Sequence, residues 1–378
     1  MRLHRTRRRL AAPSSAPAAP QPAPAAGPHA AGPLPAPARR GRLAPGLTAA
    51  LALALALPLA ACGSSAHSSA TGPAVPPVGT AATAPPAPPT PSPSSTAVSL
   101  PTGPKAALTV AEHTSVGPIY VTTLHGAKSG VAGKVWVWLP PQYDDPKYAH
   151  DGFPVVTLYA GGSSAGYNTW TDQRQLPIQA EDVALAKQGK AHPFIMIMPI
   201  QNFHDDDARL LDCSDIPGHQ KMATWMGEDV PDFVRANFRT LTSRNGWGVM
   251  GASTGGLCSA KLALQFPQTF SAAVPIDGYF LPDSLYWRGH AAELKANTPQ
   301  LMVARSTADV SMLVTAGGAE PYEQSVVKAF VNAARTSPSV HLTYYVLPHA
   351  DHLTSDFKRL IPMSLEYLTQ HLAPPTAG

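Results

Sequence analysis

Trp247-Gly248-Val249-Met250-Gly251-Ala252-Ser253-Thr254-Gly255-Gly256-Leu257-Cys258 decides how this chain is read. A short apolar run ends at Gly251, and an Ala/Leu-rich stretch from Gly256 to Phe266 stops before Pro267. The pattern between them is G-x-S-x-G, set between a strand and a helix. A serine on so tight a turn needs small neighbours, and its hydroxyl is then held clear of the sheet. The N–H of the next residue, Thr254, points to where an oxyanion would form, and the helix that starts there adds its partial positive charge. Ser253 is therefore the expected nucleophile.

Working outward, apolar runs recur at 135–139, 154–160, 193–200, 270–276, 310–314 and 340–347. Continuous runs of this length suit strands buried on both faces. Helical spacing appears at 229–238, 256–266, 322–334 and 361–372. Strands alternating with helices predict an α/β fold with a mainly parallel central sheet covered by helices on both faces.

A serine nucleophile needs an imidazole to take its proton and return it to the leaving group. Pro348-His349-Ala350-Asp351-His352 follows the last strand-like run. His352 lies farther into that loop and is preferred over His349, which directly follows Pro348. A carboxylate should then fix the imidazole tautomer. Glu320, in the turn after the 310–314 run, is the expected acid. Asp277, after the 270–276 run, is the runner-up, and Asp309 would lie at the wrong end of its strand. The second oxyanion donor is expected from the N–H of Gly162 or Ser163, in the small-residue loop after Ala160. His349, Asp351 and His352 could hold zinc by composition, but a third, distant ligand is not evident in the sequence. No metal and no organic cofactor is expected.

The remainder of the chain has a different character. It has 378 residues, 42 of them proline. Twenty-two prolines precede Lys105, in a stretch with no Asp, Glu, Phe, Tyr or Trp. Such a segment cannot bury enough apolar surface to offset its chain entropy. The formal charge of +4 rests on eight arginines before Cys62, without which 20 basic residues face 24 acidic ones. A mildly acidic domain with no basic stripe argues against nucleic-acid binding, which draws its affinity from phosphate neutralisation.

Arg39, Arg40 and Arg42 precede an almost wholly apolar run from Leu43 to Ala61. A basic flank, a short apolar segment and a small-residue end make an export signal. Leu59-Ala60-Ala61-Cys62 resembles the bacterial lipobox, in which the cysteine is lipidated. The expected organisation is a signal region over 1–62, a Pro/Ala/Ser/Thr-rich tether over 63–104 and a catalytic domain over 105–378. The protein is expected to be exported and lipid-anchored to the outer face of the cytoplasmic membrane. A lipidated Cys62 leaves Cys213 and Cys258, an even remainder that outside the cytoplasm reads as a disulfide, with two buried free thiols as the alternative.

With these pieces in place, residues from about 115 to 373 resemble the esterase D and mycolyltransferase-like branch of the α/β-hydrolases. The stretch Lys134-Val135-Trp136-Val137-Trp138-Leu139-Pro140-Pro141-Gln142-Tyr143 carries that resemblance. So do the Gly161-Gly162 loop, Tyr167-Asn168-Thr169-Trp170, the Ser253 motif, Glu320-Pro321, and Leu347-Pro348 leading to His352. It also resembles secreted actinobacterial members, in which Asp212-Cys213 and Gly256-Leu257-Cys258 have counterparts, and this implies a Cys213–Cys258 bridge. The resemblance implies acyl transfer through an acyl-enzyme on Ser253, with an ester or acyl-lipid as substrate. The sequence departs from the mycolyltransferases in the loop from Ala160 to Ser163, which offers no arginine for an acceptor sugar. Ala160 also stands where many esterase D-like members have histidine. A cell-envelope serine esterase is the first reading, an envelope acyltransferase the alternative, and a non-catalytic scaffold the third. Trp170, Trp225, Tyr279, Phe280, Tyr286 and Trp287 are candidates for an acyl pocket, with core packing the plainer reading.

Overall fold

The computed structural model describes residues 98–378. The basic flank, the apolar run, Cys62 and the tether up to residue 97 lie outside the described residues.

Nine strands form the main sheet: β1 (Thr109–Thr114), β2 (Gly117–His125), β3 (Ala132–Trp138), β4 (Val155–Tyr159), β5 (Ile195–Pro199), β6 (Trp247–Ala252), β7 (Ala272–Ile276), β8 (Val310–Gly317) and β9 (Val340–Leu347). Their order is β9-β8-β7-β6-β4-β5-β3-β2-β1. From β9 to β5 every pairing is parallel. From β5 through β3 and β2 to β1 every pairing is antiparallel. Every residue of β4, β5, β6 and β7 is buried, as continuous apolar runs require. β1 and β2 were not among the expected strands. Thr109-Val110-Ala111-Glu112-His113-Thr114 is mostly exposed. An edge hairpin covered on one face has no continuous apolar run to reveal it.

Five longer helices flank the sheet: α1 (Ile178–Lys187), α2 (Val230–Asn237), α3 (Thr254–Gln265), α4 (Pro321–Ala334) and α5 (Thr354–His371). α1 packs against α5, α3 against β6 and β7, and α4 against β8. This is the α/β-hydrolase architecture. α5 begins seven residues before the expected Ile361, because Pro362 lies inside the helix instead of opening it. His352 therefore stands two residues ahead of α5, on a short and firmly held turn. Among the described residues no helix is long and apolar enough to cross a membrane.

Val98–Ser99 pairs antiparallel with Thr240–Leu241, and the N–H groups of Thr102 and Gly103 donate to the Ala236 carbonyl. Part of the 63–104 stretch is therefore docked on the domain. Cys213 and Cys258 are joined in a disulfide with their Cα atoms 5.5 Å apart. This ties the loop after β5 to the first turns of α3.

Candidate active site

The nucleophile turn is built by close approach. A Cβ on Gly251 would lie 2.4 Å from the Gly255 carbonyl oxygen, and one on Gly255 would lie 2.1 Å from that of Tyr159. Neither distance is compatible with any side chain, so both glycines of the motif are needed for clearance. Between them Ser253 adopts φ 56°, ψ −118°. That backbone costs on the order of 1–3 kcal/mol for a non-glycine residue and persists because its surroundings hold it. Its N–H is anchored on the Ile276 carbonyl at the end of β7.

The neighbouring strand ends are linked in the same way. Asp277 N–H donates to the Thr315 carbonyl of β8, Gly318 N–H to Leu347 at the end of β9, and Ala319 N–H to Ala350. These bonds bring three loops together at one sheet edge. Ser253 Oγ lies 2.9 Å from His352 Nε2, and His352 Nδ1 lies 2.9 Å from Asp277 Oδ2. Asp277 Oδ1 accepts from the Gly317 N–H at 3.1 Å. Asp277 is 3% exposed, so its carboxylate is directed by these two donors rather than by water. The hydrogen bond to Asp277 raises the His352 pKa above the usual imidazole value, against the opposing effect of burial.

The carboxylate at the imidazole is thus Asp277 and not the expected Glu320. Asp277 directly follows β7 with φ 45°. The kink turns its side chain across the end of β8, where Gly317 N–H meets one oxygen and His352 the other. Glu320 flanks the start of α4 and makes no hydrogen bond to His352 among the described residues. Repulsion from Glu323 holds its carboxyl above the usual range. Asp309 lies at the opposite end of β8, against His341 and Arg244. His349 is exposed, with φ 55°, and does not meet Ser253. The described residues contain no group of three or more His, Cys, Asp or Glu able to hold a metal ion.

Gly161 and Gly162 line a cleft of about 230 Å³ with Ser253, His352, Thr169, Leu176 and Phe357. A Cβ on Gly161 would sit 3.5 Å from that of Ser253, so the loop after β4 passes directly beside the nucleophile. Thr254 is the first residue of α3, where the N–H has no intrahelical acceptor. Ser163 directs its hydroxyl to Asp205 and its carbonyl to Asn202. A second cleft, of about 150 Å³, reaches His352 from the side of Tyr279, Tyr322 and Glu323. Of the six aromatic candidates, Tyr279 alone lines a cleft at His352, and its hydroxyl lies 3.4 Å from Thr254 Oγ1. Trp170, Trp225 and Phe280 are fully buried in the core, Trp287 donates to Asp212, and Tyr286 stacks on His219.

A family model described as "Putative esterase" matches residues 129–359, more than half of the chain. An uncharacterized protein of Corynebacterium glutamicum is 23% identical over 162 residues, 43% of this chain and 36% of that protein. The chain thus spans about a third of that relative's length. Among solved structures, a ferulic acid esterase superposes with a TM-score of 0.57 at 16% identity, covering 68% of this chain and 98% of its own. An S-formylglutathione hydrolase from Agrobacterium tumefaciens gives 0.55 at 17% identity, covering 70% and 99%. A fluorophosphonate-binding serine hydrolase of Staphylococcus aureus gives 0.52 at 18% identity, covering 66% and 98%. At such identities the likeness is one of fold, and it spreads over several kinds of esterase without singling out the mycolyltransferase-like branch. With the family match and the His–Asp pair behind a serine on a strained turn, the chain belongs to the esterase family of the α/β-hydrolases and is an enzyme of the serine-hydrolase type.

Proposed function

We propose that the protein is an exported serine esterase that cleaves carboxylic esters through an acyl-enzyme on Ser253. The observation that carries this reading is the continuous relay from Ser253 Oγ through His352 to Asp277, 2.9 Å at each step. Ser253 O–H donates to His352 Nε2 while Nδ1–H donates to Asp277, so the imidazole holds the tautomer that can accept the serine proton. As Oγ attacks the ester carbon, that proton passes to Nε2 and negative charge develops on the carbonyl oxygen. The N–H groups of Thr254 and Gly162 receive that charge. Collapse expels the alcohol, which takes the proton from His352. Water, deprotonated by the same imidazole, then attacks the acyl-enzyme; the carboxylic acid leaves and Ser253 regains its proton. Water is favoured over a sugar as acceptor because the loop from Ala160 to Ser163 offers no arginine.

The setting belongs to the same proposal. The export signal and Cys62 would anchor the chain to the outer face of the cytoplasmic membrane, with the residues after Cys62 as a tether. The Cys213–Cys258 disulfide supports an oxidising compartment.

The test is intact-protein mass spectrometry after treatment with a fluorophosphonate. One covalent adduct that disappears in Ser253→Ala, together with loss of p-nitrophenyl acetate turnover, is the expected result. A folded wild-type protein that takes up no adduct would overturn the reading.

A further inference from the structure

The loop of residues 161–166, which carries the proposed second oxyanion donor, is braced by the segment that follows β5. Gly162, Ser164 and Gly166 all have positive φ, at 62°, 43° and 80°. Positive φ is unstrained at the two glycines and costs energy only at Ser164, whose hydroxyl donates to the Gly161 carbonyl. Further support comes from the segment after β5, where Asp205 accepts from the Ser163 hydroxyl and the Ala165 N–H. Gln201 Nε2 donates to the Ala160 carbonyl at 2.7 Å, and Asn202 Nδ2 donates to the Ser163 carbonyl at 2.7 Å. Ala165 and Asn202 also form an isolated parallel bridge.

Asn202 faces two ways. Its Oδ1 accepts from the Leu211 N–H at 2.8 Å. Leu211 lies two residues before Cys213, which is joined to Cys258 on α3. Thr254, whose N–H is the other oxyanion donor, lies one turn earlier on that helix. Asn202 is 2% exposed, and both ends of its amide are engaged. A buried amide with donor and acceptor both satisfied holds its partners more firmly than a solvated one.

We infer that Asn202 is a positioning residue for the reaction, clamping the loop of Gly162 and Ser163 to the segment that the disulfide fastens to the nucleophile helix. This inference rests on the proposed esterase chemistry. The two oxyanion donors come from loops about 90 residues apart in sequence; the parallel pairing of β4 with β6 sets those loops side by side, and this bond network adds a second tie beyond the strand ends. Oxyanion donors work by being in place before charge develops. A displacement near 1 Å costs on the order of 100-fold in rate.

The experiment compares the full-length protein with Asn202→Ala, which removes both bonds, and Asn202→Asp, which keeps the acceptor for Leu211 and loses the donor to Ser163. Turnover of p-nitrophenyl acetate gives kcat and KM. Inhibition by phenylboronic acid, whose serine adduct places an oxygen in the oxyanion site, reports the transition-state geometry. The expected result is a fall in kcat of roughly 10–100-fold with KM within about threefold, and a boronate Ki that rises by a similar factor. In Asn202→Asp the ratio of variant to wild-type rate should rise as pH falls, because the protonated carboxyl regains a donor for Ser163. Folded variants with unchanged kcat, or with KM raised and kcat intact, would overturn the inference. So would failure of both variants to fold, which would make Asn202 a residue of stability alone. Failure of the esterase reading is seen separately, as a wild-type protein that takes no fluorophosphonate.

Discussion

Replacing Asp277 by asparagine tests the site at its most consequential contact. The carboxylate accepts twice, from Gly317 N–H through Oδ1 and from His352 Nδ1–H through Oδ2. An asparagine has one oxygen and one NH2 group for these two positions. If its oxygen stays on Gly317 N–H, the NH2 faces His352 and requires Nδ1 to be the acceptor. Nε2 then carries the proton and cannot take one from Ser253. If the amide flips, the NH2 meets the Gly317 N–H, donor against donor, in a site 3% exposed. The first arrangement holds a tautomer that must be reversed before Ser253 can lose its proton, and the second leaves a buried donor unpaired, at about 1–3 kcal/mol; either forfeits a charge-assisted bond worth about 1.5–3 kcal/mol. Together these place about 2.5–6 kcal/mol on the barrier, or roughly 10²–10⁴ in kcat. The assay is p-nitrophenyl acetate hydrolysis at saturating substrate, with circular dichroism to establish folding and Glu320→Gln as control. The control should stay within about threefold of wild type. A drop of less than about tenfold in Asp277→Asn, or an equal loss in Glu320→Gln, would refute the assignment of the acid.

Three further outcomes are expected. His352 must be neutral to act as base, and its pKa is raised by Asp277. The acidic limb of kcat/KM should therefore fall at a pH above 6.5 in the wild type and move lower in Asp277→Asn; an unmoved limb would mean that another group titrates. The disulfide closes a loop of 45 residues. A Cys213→Ser, Cys258→Ser double variant should lose about 4 kcal/mol of stability by loop-closure entropy, a drop in Tm on the order of 10 °C; thermal denaturation without reductant reads this, and an unchanged Tm would count against the bridge. Asp182 on α1 is fully buried, and neither oxygen makes a hydrogen bond of good geometry. Burial pushes its carboxyl well above the usual range, so the folded state binds the proton more tightly than the unfolded state. Wild-type stability should fall relative to Asp182→Asn by about 1.4 kcal/mol per pH unit above pH 4, until the folded-state carboxyl ionises. Urea denaturation at pH 4.5 and pH 7 measures this, and parallel stability curves would contradict it.

Much of the site was legible because the chemistry is local. Gly251, Ser253 and Gly255 lie within five residues, and the clearance that demands glycine arises where β6 turns into α3. The buried parallel strands announce themselves as continuous apolar runs, and α/β alternation follows from their spacing with the helices. His352 is legible from its place after the last strand. The cysteine pair was open to reading too, since an even remainder of two in a chain read as exported leaves one pairing, and the resemblance pointed the same way.

Which carboxylate stands beside His352 was decided only by tertiary structure. Asp277 and Glu320 each follow a strand that ends at the same sheet edge. Which one reaches His352 depends on a left-handed backbone at Asp277 and on the Gly317 N–H that receives its second oxygen. Neither leaves a mark in the order of residues. Asn202 was invisible for the same reason, since its two partners, Ser163 and Leu211, meet only when the loops after β4 and β5 are laid side by side. The β1–β2 hairpin escaped because its face is shared between core and solvent. Local steric demands and hydrophobic runs are written along the chain, whereas a hydrogen bond between distant loops is a property of where the folded backbone brings them.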